Sequence, residues 1–399
     1  MLLLAPVRHI CYNPGIGPTA ALPENSPNQD GRTMPPRPVA AHAEQDAVFR
    51  RPFDLLRKAI AERAFPAAAV AVTRSGELVC LKSLGRFTYE PDTPETTTAS
   101  LFDLASLTKI VATTGMAMML YERGLLDLEM PVVSLLPEFK TDDIRRNQVT
   151  LRMLLAHSSG LPAYEKLFLR TKDRDALISA ALTVPLAGNP GAATEYSDIG
   201  FIVLGLALER LAEDALDHFC RREVFSPCGM LHTTFDPPAH WWALIPPTVD
   251  DRTFRRRIIQ GEVQDENASV MEGVAGHAGL FATAEDLAVF AQAMLEGGRP
   301  ILRPETVALF TRRASSPAGG SYALGWDTPS SPSQSGRYFS AQSFGHLGYT
   351  GTSLWIDPER QLSVTLLTNR TWPDCANQAI QQVRPALHDA VVEALERGR

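Results

Sequence analysis

The stretch Leu101–Gly124, LFDLASLTKIVATTGMAMMLYERG, decides how the rest of the chain is arranged. Its apolar residues recur at helical spacing and Gly124 is typical of the position just past a helix end, so we predict one helix that begins at about Ser106. Lys109 lies three residues later, on the same face, where its amine can reach the Ser106 hydroxyl. Because the neighbours of Lys109 are apolar, we expect its amine to be desolvated and its pKa to be lowered. The stretch therefore predicts a nucleophilic serine activated by a lysine.

The predicted position of Ser106 in the first helical turn also suits a nucleophile. Unpaired backbone N–H groups and the positive end of the helix dipole favour negative charge there, and an attacking serine passes through an alkoxide-like state. The short motif leaves a second interpretation open, because Ser-x-x-Lys occurs often by chance. In that interpretation Ser106 caps the helix and Lys109 is an ordinary surface residue.

Predicted strands lie at both ends of the chain, with helices between them. Ala67–Thr73 and Leu78–Leu84 flank a short polar turn and predict a β-hairpin. Near the C-terminus the pattern predicts further strands, at Tyr322–Trp326, Ser343–Leu347, Thr352–Ile356 and Leu362–Thr368. We therefore expect an α+β fold, in which an antiparallel β-sheet is flanked by helices and carries an inserted, mostly helical domain.

The expected domain boundaries follow from this pattern. Residues 46–125 and 275–399 together are expected to form the sheet domain, and residues 126–274 the helical insertion domain. Residues 1–45 are rich in Pro, Asn, Gly and Ala without periodicity, which predicts a disordered leader. With 399 residues, of which 45% are hydrophobic, the chain is long enough for two ordinary domains or for one large domain with an insertion.

Composition narrows the range of partners. The net charge of −7 argues against a surface for nucleic acid or anionic membranes. No apolar run reaches transmembrane length, so we expect no stable insertion into a membrane. Met1–Val7 is apolar but lacks a leading basic region, so a signal peptide is not indicated; the cytoplasm is slightly favoured over the periplasm, and the oligomeric state stays open. The five cysteines are odd in number and lack metal-site spacing, so free thiols are expected.

Two further segments have compositions typical of a functional site. Gly188–Glu195 interrupts a helical pattern and leads into Tyr196–Asp198, so Tyr196 is expected to project from a loop. Gly345–Gly351, GHLGYTG, has enough glycine for a backbone to approach a ligand closely, and a strand N–H there could donate to a substrate carbonyl. A glycine-rich turn without a ligand is the alternative interpretation of this second segment.

Taken in order, a Ser-x-x-Lys at a helix start, a Tyr-x-Asp in a later loop and a His-x-Gly on a late strand resemble the penicillin-recognising serine hydrolases. The branch that they resemble contains class C β-lactamases, D-specific peptidases and related esterases. Other stretches that are similar to this branch are FDLASLTK (Phe102–Lys109), LLAHSSGLP (Leu154–Pro162), SPCGMLHTTF (Ser226–Phe235), AGHAGLFATAEDLAVF (Ala275–Phe290) and GHLGYTGTSLWIDP (Gly345–Pro358). The segment QGEVQDENA (Gln260–Ala268) resembles a sub-branch labelled penicillin-binding-protein-like.

The resemblance, which extends from about Phe53 to Leu395, implies an acyl-enzyme mechanism without a metal or cofactor. Ser106 would attack a carbonyl, and Lys109 and Tyr196 would share the roles of general base and general acid before water releases the acyl group. The backbone N–H groups of Ser106 and Tyr349 would hold the oxyanion. The implied substrate is a small ester, amide or β-lactam, and the implied substrate contacts are Asp198, His346, Gly348 and Tyr349.

Two residues depart from the pattern of the β-lactamases in this branch. Those enzymes carry Lys-Thr-Gly where this chain has His346–Gly348, and a histidine is only partly charged near neutral pH. Asp198 stands where they usually have asparagine, and an ionised aspartate would repel a nearby carboxylate. Both changes favour an esterase or amidase that acts on neutral or cationic substrates over an efficient β-lactamase. A binding protein that kept the fold and lost turnover, such as a cell-wall sensor, is the alternative; the intact Ser106, Lys109 and Tyr196 favour the enzyme.

Other polar segments have simpler interpretations. His157 and His277 are expected to steady their loops through hydrogen bonds. Arg252–Arg257 contains four arginines, which we expect to form a solvated face paired with Glu262, Asp265 and Glu266. Contact of these arginines with an acidic substrate is the alternative.

Overall fold

A computed structural model of the protein describes residues 44–397. The predicted leader, residues 1–45, lies outside the described residues except for its last two. The α-helices are α1 (Gln45–Val48), α2 (Arg50–Ala61), α3 (Gly115–Glu122), α4 (Val132–Leu135), α5 (Leu151–Leu155), α6 (Arg174–Thr183), α7 (Asp198–Ala212), α8 (Leu216–Cys220), α9 (Ser226–Cys228), α10 (Glu266–Val270), α11 (Ala284–Leu295), α12 (Pro304–Thr311) and α13 (Ile380–Arg397). The β-strands are β1 (Ala67–Arg74), β2 (Glu77–Gly85), β3 (Phe102–Asp103), β4 (Val249–Asp251), β5 (Arg257–Ile259), β6 (Phe281–Ala282), β7 (Phe344–Leu347), β8 (Ser353–Asp357) and β9 (Leu362–Thr368).

The main sheet is built from strands of both chain ends. It has five strands in the order β2-β1-β9-β8-β7, and every neighbouring pair is antiparallel. In the register of this sheet, Val70 of β1 lies between Lys82 of β2 and Leu366 of β9. The expected α+β fold is therefore confirmed, including the hairpin β1–β2 and the C-terminal strands β7, β8 and β9.

The sheet is covered by helices on both faces because its central strands are apolar on both sides. Ala67, Ala69 and Ala71 of β1 belong to the core on the side of α11. The alternating residues Val70 and Val72 pack on the other side, in a core that also contains side chains of α2 and α13. The helices near the two chain ends thus share one layer, and α11 lies in the layer across the sheet.

The predicted strand Tyr322–Trp326 is wrong, because this segment forms a tight turn. Ala323 N–H donates to Trp326 O at 2.8 Å. Gly325 has a left-handed φ of +86°, and a Cβ there would lie 2.0 Å from Thr114 Oγ1. The chain therefore turns back on itself at a position that only glycine can occupy without strain.

The chain between residues 126 and 274 is mostly helical and contains the short hairpin β4–β5. Most of α7 is buried, so it acts as the central helix of this region. Gly276 allows the segment after residue 274 to approach α7 closely, since a Cβ on Gly276 would lie 2.1 Å from Phe201 O. The division into a sheet domain and a helical insertion domain stays a prediction.

The stretch Leu101–Gly124 is helical but is not one α-helix. Ala105–Leu107 form a 3₁₀ turn, Lys109–Thr114 form a π-helical segment, and α3 ends just before Gly124, whose φ is +69°. The predicted start and end of the helical stretch are confirmed. The α-helical type predicted for its first turns is wrong, because Ser106 lies in a 3₁₀ turn and Lys109 in a π-helical segment. Residues three apart are eclipsed in a 3₁₀ turn, and π segments often occur at functional sites.

The arginine-rich segment 252–257 forms local ion pairs. These pairs are Arg252 with Asp250, Arg255 with Asp251, and Arg257 with Glu262. Of the expected acidic partners only Glu262 forms an ion pair with these arginines, and Asp265 pairs with His277.

The cysteine and membrane expectations concern the whole chain. Cys80, Cys220, Cys228 and Cys375 are free thiols, as expected, and Cys11 lies outside the described residues. Within residues 44–397, no helix combines the length and the apolar character that a membrane crossing requires.

Candidate active site

The glycine-rich turn between β7 and β8 is fixed against the backbone that leads to the predicted nucleophile. Thr350 Oγ1 donates to Asp103 O at 2.7 Å, and Thr352 Oγ1 donates to Leu104 O at 2.9 Å. Gly348 is required in this contact, because a Cβ there would lie 2.5 Å from Leu104 O. Segments more than two hundred residues apart in the chain therefore meet at one end of the sheet.

Ser106 and Lys109 form a close pair. Lys109 Nζ is 2.8 Å from Ser106 Oγ, and the lysine is fully buried whereas the serine keeps partial exposure. A surface position for Lys109 is thereby excluded. Ala105, directly before the serine, has a φ of +47°. This left-handed conformation costs an alanine about 1 kcal/mol or more, and such strain is concentrated at functional sites. No feature of the sequence indicated it.

Tyr196 projects from the loop before α7, as expected, and contacts the same serine. Its hydroxyl donates to Ser106 Oγ at 2.8 Å, and its ring centroid lies 4.9 Å from Lys109 Nζ. His157 packs against this tyrosine with ring centroids 4.7 Å apart, and its Nδ1 accepts from Ser197 N–H at 3.1 Å. His157 therefore steadies the loop that carries Tyr196, as expected.

Asp198 lies beside Lys109. Its Oδ1 accepts from Lys109 Nζ at 2.6 Å, and the two side chains are only 19% and 0% exposed. As the first residue of α7, Asp198 also lies at the positive end of that helix dipole. Asp198 thus contacts the amine directly, and the expectation that it repels a substrate carboxylate stays a prediction.

Burial and charge act together on the groups that could transfer protons. Burial lowers the pKa of the Lys109 amine, as expected, while the carboxylate of Asp198 opposes that shift. Burial, and then the charge of Asp198, raise the pKa of Tyr196 well above its ordinary value. The phenol therefore keeps its proton at neutral pH, which suits a proton donor.

His346 is buried and neutral. Burial, and then the charge of Lys109, lower its pKa to about 3, so the partial charge that we expected near neutral pH is wrong. Its Nδ1 lies 2.7 Å from Leu347 O, and only a protonated nitrogen can donate to a carbonyl. In the neutral ring Nε2 is then an acceptor, and it is buried without a partner among the described residues. This chain offers an acceptor where the resembling β-lactamases have a cationic donor.

Gly348 and Tyr349 follow His346 in the turn after β7. Gly348 N–H donates to Thr352 O at 2.8 Å, whereas the N–H of Tyr349 forms no hydrogen bond with any described residue. Both residues line the same groove as Ser106. The Tyr349 N–H is therefore available to a ligand, as an oxyanion donor must be.

His277 and Asp265 form a second buried pair at the groove. His277 Nε2 is 2.9 Å from Asp265 Oδ1, and Asp265 also caps α10 by accepting from Ala268 N–H at 2.8 Å. The backbone oxygen of His277 accepts from Lys109 Nζ at 3.1 Å, so this pair fixes one of the groups around the amine. The expectation that His277 steadies its loop is confirmed. Its partner Asp265 was not predicted, although it lies in the quoted segment QGEVQDENA.

Two buried arginines were not predicted at all. Arg370 Nε donates to Tyr349 O at 2.6 Å, and Arg384 Nη2 donates to Gly348 O at 2.7 Å and to Thr352 O at 2.8 Å. Both arginines therefore hold the turn after β7, and both line the groove. Neither lies in a stretch that suggested chemistry in the sequence.

The groove that these residues line has a volume of about 850 Å³, which is within the range of small-molecule sites. The predicted site residues on its wall are Ser106, Tyr196, Asp198, His346, Gly348 and Tyr349. Lys109 lies directly behind Ser106, so the structure brings all the predicted residues together. Among residues 44–397, no three His, Cys, Asp or Glu side chains come together as a set that could hold a metal ion.

Comparison with known proteins agrees with this geometry. The family model described as beta-lactamase matches residues 53–387. An N-acetylmuramyl-L-alanine amidase of Bacillus subtilis (strain 168) is 31% identical over 379 residues, which cover 85% of each chain. A putative D-alanyl-D-alanine carboxypeptidase of Salmonella typhimurium (strain LT2) is 32% identical over 319 residues, which cover 71% of this chain and 72% of the relative.

The fold is also similar to a solved structure, that of EstCE1, a hydrolase with promiscuous acyltransferase activity. The TM-score is 0.72 at 20% identity, and the superposition covers 88% of this chain and 100% of the EstCE1 chain. The chain therefore belongs to the β-lactamase family of serine hydrolases.

Proposed function

We propose that this protein forms an acyl-enzyme on Ser106 and cleaves ester or amide bonds of small molecules. The observation that carries the proposal is the position of Ser106 Oγ, which is 2.8 Å from both Lys109 Nζ and the Tyr196 hydroxyl. Nucleophilic catalysis by serine needs a base and an acid at this distance from the attacking oxygen.

In the first half of the reaction, Lys109 in its neutral form accepts the hydroxyl proton of Ser106 as Oγ attacks the carbonyl carbon. The N–H groups of Tyr349 and Ser106 donate to the oxyanion, and loss of one such donor costs about 3 kcal/mol. Tyr196 gives its proton to the leaving group and regains one from the Lys109 ammonium. In the second half the same groups activate water, which releases the acyl group.

The names of the relatives support amide substrates, and the structural neighbour supports general hydrolase chemistry. One relative is named an amidase and the other a putative D-alanyl-D-alanine carboxypeptidase, while EstCE1 is described as a hydrolase. We therefore expect cell-wall peptide amides with D-amino acids, together with short esters, as the substrate class.

Covalent labelling with a fluorophosphonate probe tests this function. We expect an adduct on Ser106 by peptide mass spectrometry and release of nitrophenol from 4-nitrophenyl acetate. Ser106→Ala should lose both, whereas Ser159→Ala, which changes a serine of the neighbouring loop, should keep both. An adduct without turnover would favour the alternative, a cell-wall sensor or other binding protein. Absence of any adduct on Ser106 would contradict the proposal.

A further inference from the structure

We propose that Asp103 is a positioning residue for the reaction, because its carboxylate holds the turn before Ser106 in the conformation that leaves the Ser106 N–H available to the oxyanion. Asp103 is not among the residues that line the groove, so it acts through the backbone of Ala105 and Ser106 and not on the substrate. The inference rests on the proposed function, since it concerns the geometry of the nucleophile.

The carboxylate of Asp103 binds two backbone segments that are far apart in the chain. Its Oδ1 accepts from Ala105 N–H at 2.8 Å, and its Oδ2 accepts from Gln264 N–H at 2.6 Å. The first bond closes a turn in which an aspartate side chain binds the backbone N–H two residues later. Each oxygen therefore holds one segment, and the side chain connects the two.

The bond to Ala105 holds a conformation that alanine disfavours. The φ of Ala105 is +47°, and a left-handed backbone persists at such a residue only where its surroundings impose it. Because the peptide unit between Ala105 and Ser106 is planar, the dihedral angles of Ala105 set the direction of the Ser106 N–H. That N–H forms no hydrogen bond with any described residue. The bond from Asp103 thus acts directly on the orientation of a free donor.

The bond to Gln264 connects the same turn to a segment that supports the amine. Asp265, the next residue, lies 2.9 Å from His277 Nε2 through its Oδ1. The backbone oxygen of His277 accepts from Lys109 Nζ at 3.1 Å. The carboxylate of Asp103 therefore fixes the backbone of the nucleophile relative to the groups around its base.

A carboxylate is present here although its burial is unfavourable. Asp103 is 2% exposed and forms no ion pair with a described residue. Burial raises its pKa to about 6, while the two backbone N–H donors and Arg255 oppose the shift and Asp265 adds to it, so the group is ionised at neutral pH. Arg255 is itself paired with Asp251. An asparagine of the same size would bury no charge, but it could not accept from both N–H groups because one end of its amide is a donor.

Asp103→Asn tests this role with the fluorophosphonate probe. The maximal labelling rate of Ser106 and the probe concentration at half that rate are measured separately. We expect the maximal rate to fall by about 10²-fold, since a misplacement of about 1 Å can cost this much, while the half-saturating concentration changes by less than about twofold.

Asp286→Asn is the matched control. The Asp286 carboxylate is also buried and accepts from His232 N–H at 2.7 Å and from Thr233 Oγ1 at 2.8 Å, but it does not line the groove or contact a residue that does. We expect Asp286→Asn to lower stability in urea unfolding and to keep the labelling rate. A loss of rate that is equal in the two variants would overturn the proposal, because stability alone would explain it.

A second substitution tests whether Asp103 acts through the conformation of Ala105. Glycine adopts a left-handed φ without strain. Adding Ala105→Gly to Asp103→Asn should therefore recover about tenfold of the lost labelling rate, which corresponds to the penalty for alanine in this conformation. No recovery in the double variant would overturn the role through Ala105.

Labelling also separates failure of this inference from failure of the proposed function. Labelling of Asp103→Asn at the wild-type rate would overturn the positioning role and leave the hydrolase intact. Slow labelling of Asp103→Asn, in a protein whose wild type is labelled but turns over no ester, would support the role and contradict the hydrolase. No labelling of the wild type would contradict both. Asp103→Ser serves if Asp103→Asn does not fold, because its hydroxyl can accept from Ala105 N–H but is too short to reach Gln264 as well. Labelling of Asp103→Ser at the wild-type rate would equally overturn the role.

Discussion

Two clusters in the same groove differ in how their polar groups are satisfied. The lysine cluster comprises Ser106, Lys109, Tyr196 and Asp198. The arginine cluster comprises Arg370, Arg384 and His346. In the lysine cluster every side chain has a hydrogen-bond partner within the cluster, at 2.6 to 2.8 Å. In the arginine cluster a guanidinium nitrogen and an imidazole nitrogen are buried without any partner among the described residues.

The difference separates groups that are positioned for chemistry from groups that reduce the stability of the fold. A cluster whose groups are already paired holds its reacting atoms in place before a ligand arrives, which is what positioning in nucleophilic catalysis requires. A cluster with unpaired buried groups destabilises the folded protein, because each such group has lost its hydrogen bonds to water. We therefore expect substitutions in the lysine cluster to act mainly on rate, and substitution of His346 in the arginine cluster to act on stability.

The largest effect is expected from Lys109→Met. This change removes the base, so we expect labelling of Ser106 to slow by about 10³-fold. It also leaves the Asp198 carboxylate largely buried without its cation, and breaking such a pair costs about 3–5 kcal/mol of stability. Labelling rates with the fluorophosphonate probe and urea unfolding measure the two effects separately.

A double variant separates loss of the base from loss of stability. Lys109→Met combined with Asp198→Leu removes both charges, so it should recover much of the unfolding free energy while labelling stays slow. Lys166→Met changes another lysine on the groove wall and should label at the normal rate. Rapid labelling of Lys109→Met would remove this lysine from the mechanism.

Tyr196→Phe should have the next largest effect. It removes the hydroxyl that donates to Ser106 Oγ, and loss of a positioned proton donor slows acylation by about 10²-fold or more. Tyr322→Phe is the matched control, because that ring centroid lies 6.1 Å from the ring centroid of Tyr196 and its hydroxyl makes no bond to the serine. Comparable turnover of 4-nitrophenyl acetate by the two variants would exclude Tyr196 as the proton donor.

Asp198→Asn should change the pH dependence more than the maximal rate. The Asp198 carboxylate raises the pKa of Lys109, so its removal should lower that pKa and move the acidic limb of kcat/KM to lower pH. Asp327→Asn changes a groove carboxylate that is bonded to Ser321 and should leave the limb in place. If Asp198→Asn instead raised kcat/KM for carboxylate-bearing esters without moving the acidic limb of the pH profile, Asp198 would act on the substrate and not on the lysine.

The sequence was sufficient for the parts of the site that lie in short, ordered motifs. Helical spacing placed Lys109 within reach of Ser106, and loop composition before α7 placed Tyr196 on an irregular segment, because both depend on local structure. The strand patterns at the two chain ends also depend on local structure, and they predicted the antiparallel sheet. The order of the three motifs, compared with a known family, then predicted that these distant segments meet.

Features that depend on packing between distant segments were not predictable in this way. Arg384 holds a turn that lies 36 residues earlier in the chain, and nothing around it in the sequence marks that contact. The charge state of His346 depends on its burial in the folded protein, so an ordinary histidine pKa was the wrong basis for an expectation. The left-handed φ of Ala105 likewise results from the structure on both sides of it and not from the residue itself.

The smallest effect is expected from His346→Gln, on stability and not on rate. The pKa of His346 is about 3 in the folded protein against an ordinary 6.5, so below pH 6.5 the unfolded chain binds a proton that the native chain does not. The free energy of unfolding should therefore fall as the pH falls from 6.5 toward 3, by at most about 1.4 kcal/mol per pH unit for one histidine. His346→Gln should reduce this slope in urea unfolding, while buried His157 and His388, whose pKa values are also lowered, keep part of it. An unaltered slope in His346→Gln would mean that His346 is protonated in the native state, and the arginine cluster would then contain a third positive charge in place of a neutral acceptor.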